Sequence, residues 1–236
     1  MLSPFNVYAV EGDQFNRTDN TVLGRFWTEE AGASISGNKL LIAAATGNYL
    51  SNQSYTTETC TDCEAWVSAK AASTTGAPEI HIRAQGTNKG ELYMCWLQSS
   101  GWTLGRVDSD AVLDQLAIAS GVSLVAGKRY IFYVKAVNIA SNADITCKLY
   151  EEGADGRIGA LLSTVTYNDS SADKKTTAGV IALSSNGITS TYDNFILINN
   201  DGSSDAIVDS LQIEWVNVVS PPRETINPFN SPWNAP

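Results

Sequence analysis

Residues Thr177–Asn199 read TAGVIALSSNGITSTYDNFILIN, and the parsing of this stretch decides the fold. Two β runs, Gly179–Leu183 and Tyr192–Ile198, flank the turn-rich segment SSNGITS. Branched and aromatic side chains suit a pleated, half-buried surface, and clusters of Gly, Ser and Asn mark the turns between such runs. The stretch reads as two strands with a turn between them.

Outward from there the same rhythm recurs. Tyr130–Val137 (YIFYVKAV) is the most strand-like segment, and Ile145–Tyr150 and Leu161–Tyr167 follow it. Ser34–Ala45 alternates around Ser36-Gly37-Asn38, which predicts a hairpin. Cys63–Ala69 alternates cleanly, with Cys63, Ala65, Val67 and Ala69 on one face and Glu64, Trp66 and Ser68 on the other. Glu79–Arg83 repeats the arrangement, with Ile80 and Ile82 inward and Glu79, His81 and Arg83 outward. Glu91–Gln98 and Trp102–Val107 read as a pair joined by Ser-Ser-Gly, and residues 46–62 read as one long loop bearing Tyr49 and Tyr55.

The chain has 236 residues, a length that one large all-β domain accommodates. No apolar run approaches membrane-spanning length, so no membrane partner is expected. The formal net charge is −10 and no cluster of Lys and Arg is present, which removes nucleic acid from the expected partners. Met1 opens directly onto LSPFNVYAVEGD, without the basic start and apolar core of a secretory signal.

Two further stretches, Asp13–Trp27 (DQFNRTDNTVLGRFW) and Ala33–Leu41 (ASISGNKLL), join the first in a recognisable pattern. Together with GVIAL and YDNFILIN they resemble the opening and the closing hairpin of the concanavalin A-like lectin/glucanase (laminin G-like) superfamily. The resemblance implies an all-β, two-sheet antiparallel jelly-roll sandwich over residues 13–199, with its first and last strands side by side. It also places a leucine-rich strand before a Gly-x-x-Tyr turn, here Leu113–Ala119 before AGKRY, although VLDQLAIA by its spacing fits either period. Residues 1–12 are then an N-terminal arm, 200–219 a polar linker with one more strand, and 220–236 a Pro-rich arm. Proline keeps that arm out of sheet and helix interiors, and Ile226, Phe229 and Trp233 give it anchors for a neighbouring protein, a second copy of the chain or its own domain.

Enzymes of this superfamily cleave β-glucans with a Glu-x-Asp-x-x-Glu run, whose carboxylates stand about 5 Å apart across the sugar. The nearest imitation, Glu58, Asp62 and Glu64 in ETCTDCE, has the wrong order and spacing. His81 is the only histidine, and no Gly-x-Ser-x-Gly elbow accompanies it. The expectation is therefore a chain that is not an enzyme.

Four cysteines include one C-x-x-C pair, which is half of a structural zinc pattern. Cys95 and Cys147 sit mid-strand and are expected as buried thiols, while a Cys60–Cys63 disulfide requires an oxidising compartment. The resemblance also implies a structural calcium ion where the opening and closing strands meet. Asp13 and Asp193 are its candidate ligands, or else acceptors of local hydrogen bonds.

Outward positions on the central runs, with Trp66, His81, Arg83, Tyr133 and Tyr150 foremost, form a candidate carbohydrate-binding face. The reading that combines these points is a structural or adhesion protein of a virus-like particle, such as a phage capsid decoration or tail component. It would sit on the virion surface, contacting itself or a capsid or tail protein through its C-terminal arm. The alternatives are an extracellular carbohydrate-binding module and, behind it, a glycoside hydrolase.

Overall fold

The computed structural model describes residues 9–24, 26–29, 32–44, 53–86, 90–109 and 112–200. The C-terminal arm with Ile226, Phe229 and Trp233, the strand expected at Leu211–Val219 and residues 1–8 lie outside them. Among the described residues there is no helix. Short strands come first: β1 (Ala9–Asp13), β2 (Trp27–Glu29), β3 (Ala33–Ile35), β4 (Leu40–Ile42) and β5 (Gln53–Thr56). Longer ones follow: β6 (Cys63–Ala71), β7 (Ala77–Gln85), β8 (Glu91–Gln98), β9 (Gly101–Val107) and β10 (Leu113–Ala119). The last five are β11 (Arg129–Ile139), β12 (Asn142–Glu152), β13 (Ile158–Asp169), β14 (Val180–Asn186) and β15 (Ser190–Asn199).

They form two antiparallel sheets, an all-β sandwich. One sheet has eight strands in the order β13-β12-β11-β6-β15-β4-β3, with β1 also paired to β15. The other has seven, β10-β9-β8-β7-β14-β5-β2. The hairpin expected within Ser34–Ala45, the pair Glu91–Gln98 and Trp102–Val107, and the strand Leu113–Ala119 are present. The turn between β3 and β4 places both Gly37 and Asn38 at positive φ, 58° and 59°, which matches the twist of a two-residue hairpin.

Three expectations change. The two runs of the closing stretch do not pair: β14 belongs to the seven-stranded sheet and β15 to the eight-stranded one, so the turn between them crosses the sandwich. The β6–β7 link crosses beside it, so closely that a Cβ on Gly76 would lie 1.9 Å from the Asn186 carbonyl oxygen. Residues 9–12, read as an arm, belong to β1, where Ala9 stands opposite Asn199 and Asp13 opposite Phe195. Part of the long loop, Gln53–Thr56, is strand β5, pairing with β14 and β2.

The core lies between the sheets. Cys63, Ala65, Val67 and Ala69 of β6 face Ile80 and Ile82 of β7 there, as the alternation implies. Phe15, Trp27 and Phe195 close one side, with ring centroids 5.6 Å (Phe15–Trp27) and 4.9 Å (Trp27–Phe195) apart. Cys95 of β8 and Cys147 of β12 are joined through the core in a disulfide, which corrects the reading of both as thiols. Cys60 and Cys63 form a second one, and no free cysteine remains.

Charge is also used inside. Buried Arg106 bonds Asp169 at 2.8 Å, Asp108 at 2.9 Å and Asp114 at 2.9 Å, and buried Lys175 reaches Asp108 at 3.2 Å and Glu91 at 3.3 Å. A charge left alone in such a place is strongly destabilising, so each needs its partners. Burial works against the Asp169 carboxylate, yet hydrogen bonds from Ser171, Tyr93 and Arg106 hold its pKa down to about 2.

Candidate functional site

The residues expected to share one binding face are divided between opposite sides of the sandwich. Trp66, Tyr133 and Tyr150 stand together on the outer side of the eight-stranded sheet, with ring centroids 4.4 Å (Trp66–Tyr133) and 5.6 Å (Trp66–Tyr150) apart. His81 lies on the seven-stranded sheet, where it pairs with Ala182 and Met94. Arg83 faces neither exterior. It takes a left-handed backbone, φ 54°, at a bulge where the register of β7 shifts between Ile82 and Gln85. A bulge adds one residue and breaks the alternation. The Arg83 guanidinium is consequently buried, donating to the carbonyls of Thr61 (2.8 Å) and Lys175 (2.6 Å) and to Asp62 (3.2 Å).

The outer side of the seven-stranded sheet carries what the sequence reading missed. One row across it runs Gln53, Ser184, Glu79, Trp96, Thr103, and the next runs Tyr55, Ala182, His81, Met94, Gly105, Gln115. Gly105 makes room for the indole of Trp96: a Cβ there would come within 2.9 Å of that ring and of the Leu113 side chain. Beside Trp96 opens a cavity of about 370 Å3, bordered by Glu79, Met94, Gln98, Gln115 and Asn186. A flat apolar ring with a few amide and carboxyl groups around it is the chemistry of a sugar site. Among the described residues, no Lys or Arg borders the cavity. The periodicity of ELYMCWLQ shows Trp96 on the face opposite Tyr93 and Cys95, but only the register with β9 sets it over a glycine.

Glu79 is held in place from behind. The Tyr192 hydroxyl crosses the core from β15, accepts the Glu79 backbone N–H at 2.9 Å and donates to the Ser184 carbonyl. Burial pushes the Glu79 carboxyl pKa up, against the opposing effect of His81, whose Nε2 lies 3.1 Å from Glu79 Oε2. His81 Nδ1 is buried with no hydrogen-bond partner among the described residues.

The bulge at Arg83 also brings Ala84 back to the outer side, where it packs with Met94 and Trp96. Positions 79, 81 and 84 thus share one face with the spacing of the Glu-x-Asp-x-x-Glu run, read here as Glu, His and Ala. Of the earlier acid candidates, Glu64 lies on the other sheet, accepting the Tyr133 hydroxyl, and Asp62 binds Arg83.

Asp13 and Asp193 do not suit a calcium ion. Asp13 is held bidentately by Arg17 (2.7 and 2.8 Å) and also accepts Trp27 Nε1 (2.9 Å) and the Phe15 N–H (2.7 Å). Asp193 accepts Lys39 Nζ and the Asn194 N–H. Side-chain cations therefore take the oxygens a metal would need. Among the described residues, no group of three or more His, Cys, Asp or Glu side chains is placed to hold a metal ion.

No family model matches the sequence, and no curated protein does. Solved structures do. The carbohydrate binding module CBM66 from Bacillus subtilis aligns with TM-score 0.54 at 13% identity, over 72% of this chain and 93% of its own. The fold is the two-sheet jelly-roll sandwich of that structure. A β-1,3-1,4-glucanase (lichenase) from a mouse hindgut metagenome aligns with TM-score 0.50 at 10% identity, over 80% of this chain and 98% of its own. The Crh5 transglycosylase aligns with TM-score 0.50 at 13% identity, over 80% and 84%.

Likeness at such identity speaks for the fold. It still corrects the expectation that the chain is not an enzyme, because the same sandwich belongs to glycoside hydrolases and a transglycosylase as well as to a binding module. None of the structures named here is a virion component, so the jelly roll gives the phage reading no support.

Proposed function

We propose that this jelly roll binds a glycan chain along the outer side of its seven-stranded sheet. The observation that carries the reading is Trp96 laid over Gly105 beside a cavity bordered by Glu79, Gln98, Gln115 and Asn186. Trp96 is 6% exposed, so the part of its indole that lines the cavity meets the apolar side of a sugar ring while the amides take its hydroxyls. With no cation among the described residues that border the cavity, neutral sugars suit it better than uronates or sulfated ones. The two disulfides fit an extracellular setting, since such bonds persist in oxidising compartments.

A glycan array followed by calorimetry tests this. Trp96→Ala should weaken binding about tenfold, near 1.4 kcal/mol, with the fold intact. Gly105→Val should do the same by displacing the indole. A blank array over neutral polysaccharides, or unchanged affinity in both variants, would remove the reading.

A second reading has Glu79 as a general acid in a glycoside hydrolase or transglycosylase, and the observation favouring it is the raised pKa of that buried carboxyl next to His81. Turnover of β-glucans that Glu79→Gln abolishes, with binding retained, would establish it. Inertness of the unaltered chain on every glycan it binds would leave binding as the whole function.

A further inference from the structure

The segment SSNGITS, which carries the chain from β14 to β15, holds a reactive pair at the rim of the cavity. Asn186 is followed by Gly187, and no other asparagine of the chain has glycine after it. Asparagine is thermolabile, because its side-chain amide carbon is open to attack by the backbone nitrogen of the next residue. A following glycine favours that attack, having no Cβ in the way and few limits on its backbone.

The fold leaves this pair open to the reaction. Asn186 is half-buried and Gly187 is exposed. Gly187 sits at φ 68°, and among the described residues no acceptor is hydrogen-bonded to its N–H. A nitrogen without such a bond can lose its proton and act as a nucleophile. The base of the turn is held separately, by the Ser185 hydroxyl against the Ile188 carbonyl and Ser190 Oγ. Asn186 also belongs to the cavity. It borders it together with Glu79 and lies diagonal to Glu79 across the β14–β7 pair, where Ser184 is opposite Glu79 and Asn186 opposite Ala77. Its side chain hydrogen-bonds the Glu79 carboxyl.

We propose that Asn186 deamidates spontaneously in the folded protein, which places a second carboxylate beside Glu79. The Gly187 nitrogen gives up its proton and bonds to Asn186 Cγ. The Cγ–Nδ2 bond breaks, ammonia leaves with that proton, and a five-membered succinimide closes. Water then opens the ring at either carbonyl, leaving aspartate or isoaspartate at position 186. An amide and a water become a carboxylate and ammonium, with no oxidant or cofactor required. The consequence for binding rests on the glycan reading. A group that donates to sugar hydroxyls becomes one that only accepts, and a negative charge enters a cavity that no Lys or Arg among the described residues borders. Conversion therefore weakens glycan binding with age.

Peptide mapping by mass spectrometry tests the modification on the full-length chain, held folded at mildly alkaline pH for increasing times. Conversion at 186 should outrun that at every other asparagine while circular dichroism shows the fold intact. It should slow several-fold in Gly187→Asn, which the turn accommodates because asparagine tolerates positive φ and a Cβ there would come no closer than 3.7 Å to Gly76. Asn186 that stays intact in the folded chain, yet converts once urea unfolds it, overturns the proposal. Conversion indifferent to Gly187→Asn also overturns it. Calorimetry with a soluble β-glucan oligosaccharide reads the consequence: affinity should fall several-fold in the aged chain and in Asn186→Asp, but hold in aged Gly187→Asn. Equal affinity before and after full conversion overturns the effect on binding. A fresh chain that ignores this probe counts against the glycan reading for β-glucans, while the conversion measured by mass is still decided on its own.

Discussion

Arg83 shows how one residue redirects a strand. Its left-handed backbone ends the simple alternation of β7, turning a guanidinium inward and Ala84 outward. Removing the side chain leaves the carbonyls of Thr61 and Lys175 without a donor, so Arg83→Ala should cost about 3 kcal/mol in urea unfolding. Arg83→Gly should cost about 1 kcal/mol less, because glycine adopts positive φ without a steric penalty.

Two acids give opposite pH signatures. The Asp169 pKa is held down, so its stabilisation is full above about pH 4 and lost as pH falls towards 2. Glu79 is shifted upward, so its contribution is full below about pH 4.3 and lost as pH rises through its folded value. Urea midpoints measured across pH should show Asp169→Asn less stable than the parent at neutral pH. Glu79→Gln should lose the alkaline-side decline.

At the scale of strands, the two disulfides differ in what they constrain. Cys95–Cys147 ties β8 to β12 across the core with a sequence separation of 52, whereas Cys60–Cys63 closes a separation of 3. Chain-entropy reasoning gives about 4 kcal/mol for the long closure and about 2 kcal/mol for the short one. Replacing Cys95 and Cys147 by Ala should therefore lower stability about twice as much as replacing Cys60 and Cys63, measured by denaturant unfolding under non-reducing conditions.

Strand existence was legible from period-two alternation, and so were the inward faces of β6 and β8. The crossing between β14 and β15 was not, because adjacent strands with a short turn give the same local pattern whether they pair or change sheets. The bulge was equally hidden, since EIHIR alternates without a break and only the neighbouring register shows the extra residue. A strand inside residues 46–62 escaped because QSYT is too short and polar to stand out.

Over the whole molecule, the sequence spoke for the jelly roll through patterns repeated along nearly its full length. It said less about the site, since a binding face is assembled from rows that cross six strands and share no local motif. Trp66, Tyr133 and Tyr150 looked like partners of His81 because all point outward, yet outward on two sheets means opposite directions. The result is a two-sided body: one exterior with a cavity beside an indole, the other with a packed aromatic cluster.

The pairing of β1 with β15 makes the domain a loop that closes on itself, with Ala9 directly across from Asn199. A designer could splice those two residues with a short glycine bridge and open a new start at Asp155, in the exposed turn between β12 and β13. Such a permuted chain should fold within about 2 kcal/mol of the parent, by denaturant midpoint, because no sheet register changes. Left unpermuted and tethered at that seam, as an insert in a larger polypeptide, the domain would present the Trp96 side free of its attachment point.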